Sequence, residues 1–283
     1  MGGAMIFANY SQFHEDLKNR GIEYAAKHTA ALGFDAVEYI AVSYAEHIED
    51  VARMKAVLAQ YGLGVSCYSV YVQLFTADQT EVEQHMLRHV EAAASLGSKY
   101  LHHTLFPIYN KARIENSYDE VLAGIADLAE RIAKACNRHG IVCLYEPQGA
   151  YFNGIEGLER FLLEMRRRGC EVGVCGDFGN SLFVDVDPRE VFSRFAGEIR
   201  HVHVKDYLVT DAEIPQRKAS RSAAGRLLYD AALGEGAVDF LHGFKALRQA
   251  GYDGVISFEL KGSDEELANA VTFVKKTIRQ AGY

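Results

Sequence analysis

Short runs of β-branched and aromatic residues alternate with longer amphipathic stretches along the whole chain, regularly enough to be counted. Eight runs read as strands, at residues 5–8, 36–40, 64–68, 100–103, 141–145, 172–175, 199–204 and 254–258. Between them lie helical patterns, among them 81–96, 118–138 and 155–168, most of them opened or closed by glycine. Strand, helix, strand without a break implies a parallel sheet, because parallel strands need a crossover and a helix supplies it. Eight units in 283 residues average about 35 residues each, which fits a closed (β/α)8 barrel better than a doubly wound sheet. The latter would want a glycine-rich phosphate loop after an early strand, and the first strand instead runs into Asn9-Tyr10-Ser11-Gln12. Only four prolines occur and no linker composition divides the chain. The expectation is therefore an α/β protein with one TIM-barrel domain over residues 1–283. Its longest gap, residues 206–234, reads as a loop covering an active site.

Composition narrows the partners. Thirty Lys and Arg against thirty-eight Asp and Glu leave a net charge of −8, a poor basis for neutralising the phosphates of a nucleic acid. The cysteines, Cys67, Cys136, Cys143, Cys170 and Cys175, are odd in number, form no C-x-x-C pair and lie mostly in apolar segments. They read as reduced core residues of a cytoplasmic protein. Met1-Gly2-Gly3-Ala4-Met5 has no basic n-region and reads as a cloning remnant before a native Met5, not as a secretory signal. No stretch approaches the roughly 18 apolar residues that span a bilayer. Neither nucleic acid nor membrane is expected as a partner.

A (β/α)8 barrel builds its active site at the C-terminal ends of the strands, so polar residues ending apolar strands are the place to look. Strand five ends Leu144-Tyr145-Glu146-Pro147, strand six Val174-Cys175-Gly176-Asp177, and strand eight Ser257-Phe258-Glu259-Leu260. Strand seven reads His201-Val202-His203-Val204-Lys205-Asp206. Alternation puts His201, His203 and Lys205 on one face, Cys175 with Asp177, and Ser257 with Glu259. If those faces point inward, Glu146, Asp177, His203 and Glu259 converge at the mouth. Three carboxylates at close range repel one another unless a cation compensates, and a divalent metal is the economical one. Any one acid alone reads better as a helix cap or a solvated loop residue; the repetition on successive strands carries the metal. Three oxygen donors and one imidazole suit a catalytic site with open positions rather than a structural zinc site.

These residues carry a resemblance. Glu146 in L-Y-E-P, Asp177 in G-D-F-G-N, His203 in H-V-H-V-K-D, the Gly234-Glu235-Gly236 turn and Glu259 in G-V-I-S-F-E together resemble the sugar phosphate isomerase/epimerase family of xylose-isomerase-like TIM barrels, over essentially the whole chain. The resemblance implies one divalent metal on Glu146, Asp177, His203 and Glu259, manganese first among manganese, magnesium, cobalt and zinc. It also implies Glu146 and Glu259 as the proton-transfer residues. The expected substrate is a small sugar or keto-polyol, phosphorylated or not, isomerised or epimerised through an enediolate. Homo-oligomers are frequent among such barrels. Ketose epimerases of the family often carry a histidine three residues after the metal aspartate, where this chain has Asn180, which hydrogen-bonds but does not titrate.

Lys205, Asn180, His103 and Arg217 are the candidate substrate contacts. Lys205 is equally readable as an ion-pair partner. His102 and His103 point to opposite faces of strand four, so at most one looks into the barrel. Arg217, with Lys218, Arg221 and Arg226, makes the loop after strand seven basic, as a lid meeting an anion or simply as a solvated surface. Phe7, Tyr39, Tyr68, Tyr71 and Phe178 are available to wall a sugar site, or to fill the core. His201 reads as core. The main competing activity is dehydration of an inosose or dehydroshikimate-like substrate by the same carbanion chemistry. An abasic-site endonuclease would need further histidines and acids for three metals, and strand three ends Tyr68-Ser69-Val70-Tyr71 without one. A non-catalytic sugar-binding barrel would leave three converging acids without a purpose.

Overall fold

Eight short parallel strands pass the chain around a closed ring. The computed structural model describes residues 5–109 and 114–283, so residues 1–4, expected above to be a remnant, lie outside the described residues. In chain order the strands are β1 (Ile6–Asn9), β2 (Ala36–Ala41), β3 (Gly64–Val70), β4 (Tyr100–His103), β5 (Val142–Tyr145), β6 (Val172–Asp177), β7 (Ile199–Val204), β8 (Asp206–Thr210), β9 (Ser220–Arg221), β10 (Leu227–Ala231) and β11 (Val255–Phe258). The barrel runs β1 to β7 in sequence and closes through β11 back to β1. The helices are α1 (Ser11–Ala31), α2 (Val51–Gln60), α3 (Gln79–Leu96), α4 (Tyr118–Arg138), α5 (Gly149–Phe152), α6 (Ile155–Arg167), α7 (Pro188–Phe195), α8 (Phe240–Gln249) and α9 (Asp264–Gln280). Among the described residues no helix is long and apolar enough to cross a membrane.

Local chemistry explains where the helices start. In α4 and α9, Ser117 and Ser263 each accept from the backbone three residues on, while Glu120 and Glu266 reach back to the capping residue. This reciprocal box satisfies donors that the first turn leaves free. Asp50, Asp78 and Asp239 cap α2, α3 and α8 with a side-chain oxygen. The buried residues of α4, including Val121, Ile125, Leu128, Ala129 and Ile132, recur at helical spacing and form the stripe that packs on the barrel.

Strand alternation divides the apolar residues into two compartments. Val37, Leu101, Val202 and Ile256 point outward and join the helices in one large core. The inward residues form small groups, Ala8 with Ala36 and Val255, and Cys67 with Leu144 and Cys175. The barrel interior is thus narrow, and above these apolar residues it becomes polar. All five cysteines are buried and unbonded.

Residues 206–234, expected to be a loop, contain instead a three-stranded antiparallel sheet of order β8-β10-β9. The cause is a short β-rich run, Asp206–Thr210, answered by Leu227–Ala231 in full antiparallel register. Asp206 anchors the base of this insertion. Its Oδ2 accepts from Gly234 N and Gly236 N, both at 2.9 Å, and its Oδ1 from Val238 N at 3.2 Å. Gly236 is required there, because a Cβ would lie 2.2 Å from Asp206 Oδ1.

Candidate active site

The polar interior is organised around His203. On β7 the alternation sends His201, His203 and then Lys205 into the barrel, and register places His203 beside Asp177 on β6 and Ser257 on β11. His203 Nδ1 lies 3.1 Å from Glu146 Oε2, 3.7 Å from Asp177 Oδ2 and 3.7 Å from Glu259 Oε2. The four residues singled out at strand ends are therefore brought together. Lys205 Nζ stands between two of the acids, 3.0 Å from Asp177 Oδ2 and 2.8 Å from Glu259 Oε2.

His203 is bound from below as well as above. Its Nε2 contacts Glu38 Oε1 at 3.0 Å and Oε2 at 3.1 Å. Glu38 also accepts from His201 Nε2 at 2.7 Å and from Ser69 Oγ at 2.5 Å, and it has no exposed surface. Tyr10, from the turn after β1, stacks on the His203 ring at a centroid distance of 5.1 Å. His102 lies at the side, with Nε2 3.6 Å from Glu146 Oε1 and Nδ1 3.3 Å from Ser69 Oγ. Glu38 and Tyr10 escaped the strand-end criterion, which left His102 as one of two undecided histidines on strand four. For Glu38 a signal existed: a lone acid within the apolar run Ala36–Ala41 is rarely fully buried unless paired.

The electrostatics follow from dehydration and crowding. Burial works against the charged forms of all these groups, and neighbouring opposite charges decide the outcome. Burial raises the Glu38 carboxyl, but His203 and His201 outweigh it and hold it well below the usual range. Burial likewise opposes Asp177 ionisation, yet Lys205 and His203 bring it down to about 2. His203 is held well above an ordinary imidazole, because Glu38 and Asp177 among its neighbours overcome the cost of burial. Glu259 behaves differently: burial raises it, and Lys205 offsets this only in part. Burial also pushes the inward Cys175 thiol up to about 12, leaving it a neutral thiol at pH 7.

Could these residues hold a metal? Among the described residues, three sets have donor atoms all within 4.8 Å of one another: Asp177, His203 and Glu259; Glu146, Cys175 and His203; Glu38, His201 and His203. His203 belongs to each. Donors around an ion bound at about 2.0–2.2 Å are separated by roughly 3–3.5 Å, close to the 3.1–3.7 Å observed from His203 Nδ1. Asp177 Oδ2 is buried without a well-directed hydrogen bond, although a lysine stands near. Oxygen donors with one imidazole suit a divalent ion with open positions.

The remaining expectations divide. His103 turns away from the site: it lies in the layer between barrel and helices, edge-on to Tyr145, with Nδ1 2.9 Å from Thr104 O. The inward position on β4 belongs to His102, whose partner across the ladder is Ser69. Asn180 supports Asp177 through its backbone N–H, 2.6 Å from Oδ1, and its buried Nδ2 has no partner among the described residues. Arg217 is exposed; it donates to Asp230 O and lies 5.3 Å from the Tyr229 ring centre, contacts that brace the inserted sheet. Arg221 and Arg226 are answered by Glu213 and Asp211, so the basic charge of this segment is partly balanced locally. Phe7, Tyr39, Tyr68 and Phe178 all lie in the outer core, and Tyr71 is exposed. A cleft of about 810 Å³ opens over Lys205 and Glu259, with Ser11, Asp230, Glu235 and Asn269 in its walls.

A family model described as the xylose isomerase-like TIM barrel matches residues 26–277. The chain belongs to that family. Among its relatives, the inosose dehydratase of Geobacillus kaustophilus (strain HTA426) is 25% identical over 242 residues, covering 80% of this chain and 77% of that protein. Within the xylose isomerase-like fold, a D-allulose 3-epimerase from Methylomonas sp. superposes with a TM-score of 0.74 at 18% identity, over 97% of this chain and 98% of its own. Two other solved structures hold ions. A xylose isomerase-like TIM barrel protein from Mycobacterium smegmatis in complex with magnesium has a TM-score of 0.69 and 16% identity, covering 98% of this chain and 97% of that one. A protein named IOLI with a bound zinc atom has a TM-score of 0.70 and 16% identity, covering 98% of each.

Proposed function

We propose that this chain is a divalent-metal-dependent isomerase or epimerase of a small keto-sugar or keto-polyol. The observation that carries the reading is the single imidazole nitrogen, His203 Nδ1, facing three carboxylates at 3.1–3.7 Å. Glu146, Asp177, His203 and Glu259 would hold the ion. Bound there, a divalent ion supplies a Lewis acid that polarises a substrate carbonyl and acidifies the neighbouring C–H. Metal-bearing structures of the same fold support this assignment.

The protein's own residues divide the remaining work. Glu259 is the member of the set that lines the cleft, its side chain 29% exposed, and its raised proton affinity suits a carboxylate that must accept a proton from carbon. Lys205 engages Glu259 Oε2 and so orients the carboxylate while contributing positive charge beside a developing oxyanion. Glu146, more deeply set, is the second proton carrier. Return of a proton to the other face of the same carbon gives the epimer; its delivery to the adjacent carbon, with the hydroxyl proton passing between the two oxygens, gives the aldose–ketose isomer. The cleft mixes apolar surface with polar groups such as Ser11, Asp230, Glu235 and Asn269, which suit the hydroxyls of a small polyol, and its volume lies within the ordinary range for small-molecule sites.

A second reading has its own support. The inosose dehydratase relative favours the same proton removal followed by loss of a neighbouring hydroxyl as water. Incubation of the Mn²⁺-loaded protein with a panel of keto-polyols in D₂O separates the two. An isomerase or epimerase yields products of substrate composition, with deuterium entering wherever the abstracted proton exchanges with solvent, and a dehydratase yields a product lighter by one water. Activity that survives chelation of all divalent metal overturns both. Glu259→Gln is expected to lower kcat by about 10²–10⁴-fold with the thermal transition retained; an unchanged rate removes Glu259 from the mechanism.

A further inference from the structure

We infer that Glu38 is a positioning residue for His203, fixing the imidazole tautomer and ring orientation that aim the Nδ1 lone pair at Glu146, Asp177 and Glu259. The inference rests on the metal reading above. An ionised carboxylate only accepts hydrogen bonds, at about four lone-pair sites. Here the sites are all addressed: by His203 Nε2 at both oxygens, by His201 Nε2 at Oε2 and by Ser69 Oγ at Oε1. An acceptor on this side of His203 requires Nε2 to carry a hydrogen. In the neutral ring the bare nitrogen is then Nδ1, the one facing the three acids.

Two details argue for positioning over simple packing. Glu38 stands on β2, separated from His203 by 165 residues in sequence, so the contact reports barrel closure and not a local turn. Tyr10 stacks against the ring face at 5.1 Å, leaving in-plane orientation to the hydrogen bonds at its edge. Carboxylates that receive the second N–H of a metal-bound histidine hold its tautomer and raise its basicity. The carboxylate is also short of free lone pairs, which argues against Glu38 as a ligand in its own right.

Glu38→Gln is nearly isosteric but replaces two acceptor oxygens by one oxygen and an NH₂ donor. The NH₂ finds its acceptor in Ser69 Oγ or in a bare imidazole Nε2, and when His203 supplies the latter its Nδ1 carries the hydrogen and cannot ligate; in either case the full carboxylate charge behind the ring is lost. Glu38→Asp is the opposite change: it shortens the side chain but keeps acceptor-only chemistry.

Calorimetric titration of the purified full chain with Mn²⁺ or Zn²⁺ alone, beside ¹⁵N-histidine spectra of the zinc-loaded protein, tests this without an activity assay. Expected are one ion per wild-type chain, His203 protonated at Nε2, affinity lowered about 10–100-fold in Glu38→Gln, and most of that loss recovered in Glu38→Asp. A packing role predicts the reverse order, with Asp the worse variant. Wild-type affinity in Glu38→Gln, or a zinc-loaded wild type with His203 protonated at Nδ1, overturns the inference; the second needs no variant to fold. Two ions in wild type reduced to one in Glu38→Gln makes Glu38 a ligand and overturns it also. A wild type that binds neither ion overturns the metal reading, and this inference with it.

Discussion

His203 and His28 each stand between carboxylates on both ring nitrogens, and the comparison separates distance from consequence. His203 contacts Glu38 at 3.0 Å and Glu146 at 3.1 Å; His28, on the outside of the barrel, contacts Asp16 at 2.6 Å and Asp264 at 3.0 Å. By distance the outer cluster is the tighter. Yet the side chains of His203 and Glu38 are at most 1% exposed, whereas Asp264 is 77% exposed. Water can replace Asp264 in the outer cluster, although Asp16 there is itself buried. Nothing replaces a lost member of the inner one, because an uncompensated charge inside a protein costs several kcal/mol.

The sharpest way to break the comparison is to remove an inner carboxylate entirely. Glu38→Ala leaves His201, His203 and Ser69 without their common acceptor in a closed space, and is expected to lower stability by about 3–5 kcal/mol, read from urea unfolding of the metal-free chain. A loss below about 1 kcal/mol would mean that water enters the barrel floor, and that the two clusters differ only in name.

The same contrast explains what could be read from the amino-acid order. The barrel was legible because eight strands alternate with amphipathic helices: β4 (Tyr100–His103), β7 (Ile199–Val204) and α4 (Tyr118–Arg138) lie where periodicity puts them. The convergence of Glu146, Asp177, His203 and Glu259 was legible because barrel geometry gathers strand ends. Glu38 was not, since it lies within its strand and its partners come from β3 and β7, a pairing that only closure of the ring creates. His102 and His103 posed a two-way choice that alternation alone leaves open; the ladder partner Ser69 settles it. The sheet in residues 206–234 was missed because its strands are short and its basic residues suggested a solvated loop, although two of them, Arg221 and Arg226, have acidic partners within it.

Asp206 lies between the two extremes, and its removal tests the middle of the scale. It is buried, but its partners are neutral backbone donors of Gly234, Gly236 and Val238, so Asp206→Ala leaves unpaired dipoles and no unpaired charge. A loss of about 1–3 kcal/mol is expected, with faster amide exchange at Gly234 and Gly236. A loss as large as that of Glu38→Ala would assign the inner effect to hydrogen bonds rather than to charge.

The smallest effect belongs to His28, and pH gives it a sign. Partial burial lowers its proton affinity, but hydrogen bonds to Asp16 and Asp264 outweigh this and raise it above the ordinary value. The folded protein therefore holds the His28 proton more tightly than the unfolded chain, whose histidine titrates near about 6.5. Stability from the cluster is fully present below that value and is lost as pH rises through the raised folded one. Since Asp264 is open to solvent, the contribution is expected to stay below about 1 kcal/mol. Thermal melts of wild type and His28→Gln should differ more at pH 5.5 than at pH 9. The same difference at both pH values would trace the effect to packing against Tyr24, whose ring lies 5.4 Å away, and would leave the outer cluster without an ionic role to compare.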